Sequence, residues 1–258
     1  MAAIDAFAAR MIDVHDIVKT IPGWEEASAN PLGGGSSRRS WLLELDGRKA
    51  VLKADPGVRS GVFGTRQYEA EVQHRAAAAG LAPQVLYATD TVLLSAYVDS
   101  TVWTEATFAD ADRLRRLGRA IKRVHELPST GRPINLIGAA HSYLDVIEEP
   151  SDALIAGCRI IESIGEPRDT VCGHNDVVFG NILGTTSIQL VDWEFAADNS
   201  PLFDLATVIE HHSLDEELAA ILLEAYFVGR DIPWQALVDQ RIVYRELFAL
   251  WQAATSRS

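Results

Sequence analysis

The chain has 258 residues, 48% of them hydrophobic and 23% charged. That is enough to bury a sizeable core as one large domain or two lobes, and too apolar for a disordered or fibrous protein. The 36 acidic side chains against 23 Lys and Arg leave a formal net charge of −13, a field that repels a nucleic-acid backbone and draws small cations.

After a short helical lead, "ANPLGGGSSRRSWLLELDGRKAVLKAD" alternates apolar and polar positions about Asp46-Gly47, which predicts two antiparallel strands joined by a tight turn. A triple glycine, Gly33 to Gly35, precedes the first of them. "TRQYEAEVQHRAAAA" has few strand formers and an acidic first half, and Gly80 and Pro83 close it, so it predicts a helix with a sharp stop. "PQVLYATDTVLLSAYVDST" returns to strand pattern through Val85, Leu86, Val92, Leu93 and Leu94. The predicted order is strand, strand, helix, strand, strand.

Helical periodicity dominates from residue 104 onward. Leu114, Leu117, Ile121 and Val124 fall at helical spacing, and "ELAAILLEAYFVG" and "QRIVYRELFALWQAA" continue the pattern. Two short apolar segments that carry polar residues, "CGHNDVVFGNIL" and "SIQLVDWEF", interrupt it. The change of pattern near Asp99 to Thr101 predicts a hinge between a β-rich lobe, residues 1–98, and a helical lobe, residues 99–258. No apolar run approaches the roughly 20 residues that cross a bilayer. The two cysteines, Cys158 and Cys172, are too few for a disulfide framework, and the acidic N-terminal stretch is unlike a secretory leader. A reducing, cytoplasmic setting away from membranes is therefore expected.

The polar residues of "CGHNDVVFGNIL" form His174-x-Asp176-x-x-x-x-Asn181, and Asp192 follows eleven residues later in "LVDWEF". Phosphoryl transfer needs such a set: one carboxylate to orient the attacking hydroxyl, with an oxygen ligand and a second carboxylate to hold magnesium on the nucleotide phosphates. Protein kinases write it as H-R-D-x-x-x-x-N followed by D-F-G. This chain keeps the first spacing with Asn175 in place of Arg, and reads Asp192-Trp193-Glu194 for the second. A short polar pattern recurs by chance, so the other half of such a site must also be present. Lys53 ends the apolar strand "KAVLK", Glu69 lies in the helix that follows, and the glycine-rich "LGGGSS" comes one strand earlier. Backbone without side chains can lie over phosphates at such a loop.

With these elements in order, the sequence resembles the choline kinase and aminoglycoside phosphotransferase superfamily of small-molecule kinases. The resemblance runs from "PLGGGSS" through "VLK", "YEAEVQHRAAAAGLAPQVL" and "CGHNDVVFGNIL" to "LVDWEFAADNSPLFDLA". Asn199, the Phe203-Asp204 pair and the terminal "LFALWQA" make it most similar to the choline, ethanolamine and thiamine kinase branch. The resemblance implies a two-lobed, protein-kinase-like α+β fold, with ATP and Mg2+ in the cleft between the lobes and a small cationic alcohol on the helical side. Asp176 is then the catalytic aspartate, and Asn181 and Asp192 bind magnesium. Lys53, held by Glu69, contacts the α and β phosphates beneath a loop of Gly33, Gly34, Gly35 and Ser36. The backbone of Ala96, Tyr97 and Val98 meets adenine, and Asp204 braces the catalytic loop. Trp193, Phe248 and Trp251 are expected as aromatic faces for a cation, and Glu194 and Glu210 as its countercharge.

Some positions depart from the family pattern. Arg38 and Arg39 stand where relatives commonly show threonine or asparagine, and Phe248 replaces one of two tryptophans that choline enzymes carry on the last helix. Glu210 lies one residue from the matching family glutamate. A plainer role is expected for several polar residues. His174 is expected to hold the loop by hydrogen bonds, His125 to be a satisfied core histidine, and His211-His212 to be a helix surface pair. Cys172, His174 and Asp176 lack the fourth ligand that a zinc site wants. Packing and ligand contact remain equally open for Trp251. Two further readings compete with a small amino-alcohol kinase: an aminoglycoside-type phosphotransferase, for which the acidic "DVIEEPSD" and "HHSLDEE" leave room, and a catalytically silent kinase-like binding protein.

Overall fold

The computed structural model describes residues 13–32, 40–59 and 64–256. Gly33, Gly34, Gly35 and Ser36, together with Arg38 and Arg39, lie outside the described residues. The chain divides into two compact units. One comprises Met1–Thr101 with Gln189–Phe195, and the other Val102–Ile188 with Ala196–Ser258. The segment Gln189–Phe195 thus groups with the first unit, across the sequence boundary drawn at residues 98 and 99.

The first unit opens with α1 (Val14–Val18), followed by β1 (Ser28–Pro31), β2 (Ser40–Leu45), β3 (Arg48–Ala54), α2 (Arg66–Ala78), β4 (Val85–Ala88) and β5 (Val92–Ala96). The short β8 (Gln189–Leu190) belongs to it as well. The five strands β1 to β5 form one sheet in the order β1-β2-β3-β5-β4, with every neighbouring pair antiparallel. The β2–β3 hairpin turns where the sequence places it, with Asp46 and Gly47 at φ of 50° and 76°, the left-handed pair that a two-residue hairpin of this twist requires. Strand β1 corrects the predicted order of strands. "SANP" has neither alternation nor β-branched residues, and its Pro31 is tolerated because β1 is the sheet's edge.

Alternation along β3 decides what faces where. Ala50, Leu52 and Ala54 are fully buried in a core with Leu43, Trp41, Leu94 and Trp24, which turns Val51 and Lys53 to the opposite face. Helix α2 begins where the Thr65 hydroxyl accepts from the Tyr68 N–H at 3.2 Å, and its chain turns away at Gly80, φ 74°. The buried face of α2 carries Arg66, Glu69, Ala70, Gln73 and Ala76. Gln73 ties this helix to the sheet by donating to the Ser95 hydroxyl and the Pro83 carbonyl.

The second unit holds α3 (Ala111–His125), α4 (Leu136–Leu144), α5 (Asp152–Ile164), β6 (Val171–Gly173), β7 (Ile182–Leu183), β9 (Ala197–Asn199), α6 (Pro201–His211), α7 (Glu216–Phe227) and α8 (Trp234–Thr255). Leu114, Leu117, Ile121 and Val124 of α3 are completely buried, as their helical spacing predicts. One core gathers Leu136, Ala140, Ile161, Phe203, Val243 and Leu250 from α4, α5, α6 and α8. Helices α3 and α7 pack so closely at Gly118 that a Cβ there would stand 2.6 Å from the Leu222 carbonyl oxygen and 3.1 Å from the Ala225 Cβ. Since the obstructing atom is backbone, Gly118→Ala is expected to lower stability by about 1–3 kcal/mol, read as a lower urea midpoint with the slope unchanged. Among the described residues, no helix is long and apolar enough to cross a membrane.

Candidate active site

In the first unit, the outward face of β3 and the buried face of α2 assemble a network of ion pairs. Lys53 Nζ lies 2.7 Å from Glu69 Oε1 and 2.7 Å from Asp192 Oδ1. Burial alone would lower the lysine's pKa, yet the Asp192 and then the Glu69 carboxylate outweigh it and hold the ammonium charged. Burial likewise opposes ionisation of Glu69, but Lys53 and Arg66 keep its pKa below the usual carboxylate range. Asp192 itself sits at φ 65°, a strained left-handed conformation of the kind that concentrates at functional loops.

Two arginines that sequence reading passed over complete this network. Arg66 donates to Asp55 at 2.6 Å and to Glu69 at 2.5 Å, and Arg59 pairs with Asp55, Glu69 and Glu194 at 3.0, 3.3 and 2.7 Å. Arg66 reads as an ordinary first-turn helix residue and Arg59 as a loop residue, so no local signal marks either. They change the reading of Glu194. Its carboxylate is taken by Arg59 and, at 3.4 Å, by Arg66, while burial and then Asp192 push its pKa up, so it is not countercharge for a substrate cation. Trp193 is corrected in the same way. Its side chain is fully buried and its Nε1 donates to the Leu190 carbonyl at 3.0 Å, so its ring belongs to the core.

At the end of β5, the Ala96 N–H donates to the Gln84 carbonyl at 2.8 Å and the Tyr97 N–H to the Lys49 carbonyl at 3.2 Å. Of the three residues expected to meet adenine, Val98 alone keeps a backbone donor that no protein group among the described residues takes.

In the second unit, the polar residues of "CGHNDVVFGNIL" occupy the loop between β6 and a 3₁₀ turn at Phe179–Asn181. The Asn181 Nδ2 donates to Asp176 Oδ2 at 2.7 Å and to the Asp176 carbonyl at 3.0 Å, so the five-residue spacing lets the amide clamp the aspartate. Asp204, 1% exposed, is the brace: its carboxylate accepts from the His174 N–H at 2.9 Å, the Asn175 N–H at 2.7 Å and His125 Nε2 at 3.0 Å. Burial opposes its charge, but the His125 hydrogen bond, the electrostatic influence of the His125 and His174 groups and the His174 N–H outweigh this and lower its pKa. Asn175 adopts φ 64°, which asparagine tolerates, and exchanges hydrogen bonds with Asn199 and the Ala197 carbonyl. His174, fully buried, accepts at Nδ1 from the Asp176 N–H. The histidine therefore shapes the loop, as expected, and His125 is a satisfied core histidine whose Nδ1 meets the Tyr226 hydroxyl at 2.8 Å.

Helices α6 and α8 flank a cavity of about 460 Å³ lined by Glu210, His211, Tyr244, Arg245 and Phe248. Tyr244, which sequence reading missed, feels Asp176: burial first, then the Asp176 and Glu210 charges, raise its hydroxyl pKa. Phe248 stacks on Tyr244 with ring centroids 5.8 Å apart and on Trp251 at 5.5 Å. Glu210 is placed at this cavity, but its carboxylate is engaged by Arg241 and, at 3.4 Å, by Arg245. That corrects its expected role as countercharge for a cation.

The His211-His212 pair is also corrected, since neither ring is a surface group. His211 Nδ1 meets the Tyr244 hydroxyl at 2.7 Å. The His212 ring stacks on Phe108 at 3.7 Å, and among the described residues neither of its nitrogens has a hydrogen-bond partner. Burial and then His211 lower the His212 pKa from 6.5 to about 3, against a small opposing effect of the Val177 backbone. Between these values the unfolded chain carries a proton that the folded chain does not, so stability falls as pH drops from 6.5. His212→Phe is expected to flatten the fall in urea midpoint between pH 6.5 and 4.5, above the range where glutamates dominate. A pH slope equal to the parent's would show that the ring titrates normally.

Residues 28–237 match the model of the phosphotransferase enzyme family. Protein LicA of Haemophilus influenzae is 29% identical over 207 residues, covering 75% of this chain and 61% of that protein, so the chain spans about three fifths of that relative's length. Thiamine kinase of Salmonella typhimurium is 28% identical over 232 residues, 87% of this chain and 76% of that enzyme. Among solved structures, choline kinase LicA from Streptococcus pneumoniae superposes with a TM-score of 0.77 at 15% identity, over 95% of this chain and 90% of that one. A spectinomycin phosphotransferase gives 0.62 at 13% identity, over 90% and 84%. These structural likenesses establish the fold, the protein-kinase-like α+β class that the sequence predicts. The family model covers most of the chain and spans the Lys53 network and the Asp176 loop alike, so the chain belongs to the phosphotransferase enzyme family.

Proposed function

We propose that this phosphotransferase is a small-molecule kinase that transfers the γ-phosphoryl group of MgATP to a hydroxyl of a small amino alcohol. The observation that carries the reading is the Asp176 carboxylate, clamped by Asn181 in a loop that buried Asp204 holds from three sides. Similarity to a thiamine kinase, and a fold shared with a choline kinase, support the acceptor class.

In this reaction the acceptor oxygen forms a bond to the γ-phosphorus as the bond from that phosphorus to the bridging oxygen of ADP breaks. ADP leaves with the electron pair, and the hydroxyl proton passes to Asp176. Asp176 aligns that hydroxyl, so catalysis rests on positioning and on neutralising charge. Lys53, kept charged by Asp192 and Glu69, meets the α and β phosphates, and the Val98 N–H is the available backbone donor for adenine. The residues assigned to magnesium fit it chemically. Asp192 offers a carboxylate, and Asn181, whose nitrogen is spent on Asp176, is left with its amide oxygen; both are the hard oxygen donors that this ion prefers. When bound, the ion neutralises the developing charge on the phosphate oxygens.

A coupled assay of ADP release tests the reading, with MgATP and choline, ethanolamine, thiamine and a set of aminoglycosides as acceptors. Acceptor-dependent turnover by one small amino alcohol is expected above the background hydrolysis of ATP. Turnover by aminoglycosides alone would move the chain to the antibiotic-modifying enzymes, and failure to bind MgATP would sink the kinase reading.

A further inference from the structure

We propose that the second unit carries a zinc site formed by His141 of α4 with Cys158 and Glu162 of α5, none of them a residue assigned to phosphoryl transfer. The inference does not depend on the phosphotransferase reading above.

Three kinds of zinc donor meet here: an imidazole nitrogen, a thiol sulfur and a carboxylate oxygen. One such atom from each residue lies within 4.8 Å of the other two. Cys158 and Glu162 stand four residues apart on α5 and so share one of its faces. Helices α4 and α5 pack together through a core that includes Leu136, Ala140, Cys158 and Ile161, and His141 follows Ala140 in the chain. Its Nδ1 stands 3.9 Å from Cys158 Sγ, and its Nε2 stands 2.7 Å from Glu162 Oε1. Because the two halves of the cluster come from different helices, 17 residues apart, no single motif in the sequence marks it.

The ligand atoms of a tetrahedral zinc lie about 3.3–3.6 Å from one another, given bonds of about 2.0 Å to nitrogen or oxygen and about 2.3 Å to sulfur. Small rotations of two side chains bring the cluster to those separations. Cys158 is 3% exposed and forms the floor, whereas the His141 and Glu162 side chains are 49% and 41% exposed and form the rim. An ion therefore has an entry path from solvent, and the rim can turn to meet it.

The local charge has the sign that a cation needs. Burial, then the Glu162 and Asp145 carboxylates, push the Cys158 thiol pKa up, so both neighbouring charges that act on the sulfur are negative. An exposed pair of His141 and Glu162 contributes little by itself and needs no thiol beneath it; a dication uses all three donors. On binding, the thiol gives its proton to solvent as the zinc–sulfur bond forms, and water takes the fourth position. A mixed nitrogen, sulfur and oxygen set suits zinc, whereas magnesium takes oxygen donors. The bound ion links α4 to α5 and stabilises the helical unit.

The test uses the 258-residue chain without an affinity tag, stripped by a chelator and titrated first with Co2+, a coloured substitute for zinc, and then with Zn2+. One equivalent of cobalt is expected to give the intense visible bands of tetrahedral coordination and a near-ultraviolet thiolate-to-cobalt band, both bleached by zinc. Carboxylate and amide oxygens of the kind assigned to magnesium would give a weak octahedral spectrum with no thiolate band. Cys158→Ser should abolish that band. His141→Ala and Glu162→Gln should each weaken zinc binding at least about 10-fold, measured against a competing chromophoric chelator. His141→Ala alters a half-exposed side chain, so its metal-free urea midpoint should match the parent's, and zinc should raise the midpoint of the parent alone. This variant decides the matter even if Cys158→Ser fails to fold. No stoichiometric binding at micromolar metal, an octahedral spectrum alone, or zinc affinity unchanged in His141→Ala would each overturn the inference.

Discussion

Asp176→Asn is expected to lower acceptor phosphorylation about 10²- to 10⁴-fold in kcat, the contribution of one positioned general base, while MgATP affinity stays within a few-fold of the parent. The substitution is close to isosteric. An asparagine oxygen can still accept from the Asn181 amide, as Asp176 Oδ2 does at 2.7 Å, so the loop keeps its shape and loses only the group that takes the hydroxyl proton. Nucleotide affinity should survive because the groups assigned to the phosphates, Lys53 with Glu69 and Asp192, belong to the other unit and keep their partners. Asn181→Ala tests the clamp separately. It frees the Asp176 carboxylate from its donor and removes an oxygen assigned to magnesium, so both kcat and the magnesium dependence should change. Single-turnover phosphorylation and equilibrium nucleotide binding separate these outcomes. An Asp176→Asn enzyme with parental kcat would remove Asp176 from its assigned role.

The loop of Asp176 and Asn181 was legible in the sequence because its contacts are local. Asp176 and Asn181 are five residues apart and meet directly, and the Asp46-Gly47 turn and the α3 stripe of Leu114, Leu117, Ile121 and Val124 likewise follow from patterns within one element. The pairing of Lys53 with Glu69 is implied by the family resemblance rather than by a pattern within one element, and the two side chains do meet at 2.7 Å. What remained hidden depends on partners far away in the chain. Glu194 and Glu210 looked like available charge, but the first is taken by Arg59, 135 residues away, and the second by Arg241, 31 residues away. No local pattern shows that a carboxylate is already neutralised. Trp193 failed for a related reason: a tryptophan next to a metal-loop aspartate reads the same whether its ring faces a ligand or the core, and here the Leu190 carbonyl holds it inside. His211-His212 at the end of a helix looked exposed, and only packing against Phe108 and Tyr244 shows otherwise. Strand β1 escaped because an edge strand need not alternate.

Asp204→Ala is expected to be the most damaging single substitution for stability, costing about 3–5 kcal/mol, the usual effect of removing one partner from a buried charged cluster. The carboxylate is 1% exposed and receives three donors, the His174 and Asn175 N–H groups and His125 Nε2. Its loss leaves all three without an acceptor in a space that an alanine methyl cannot fill. The neighbouring groups cannot compensate, because His125 Nδ1 is already committed to the Tyr226 hydroxyl and the Asn175 side chain to Asn199 and Ala197. The pH dependence identifies the cause. Since the folded pKa of Asp204 lies below its ordinary 3.8, the stability it contributes is fully present above that value and is lost as pH falls through the folded pKa. The gap in urea midpoint between the parent and Asp204→Asn should therefore be widest near neutral pH and close under strongly acidic conditions. Activity should follow the loop, with kcat falling more steeply than nucleotide affinity. If Asp204→Ala kept the parental midpoint and kcat, the catalytic aspartate would have to be positioned by something other than this brace, and the geometric case for Asp176 would fail with it.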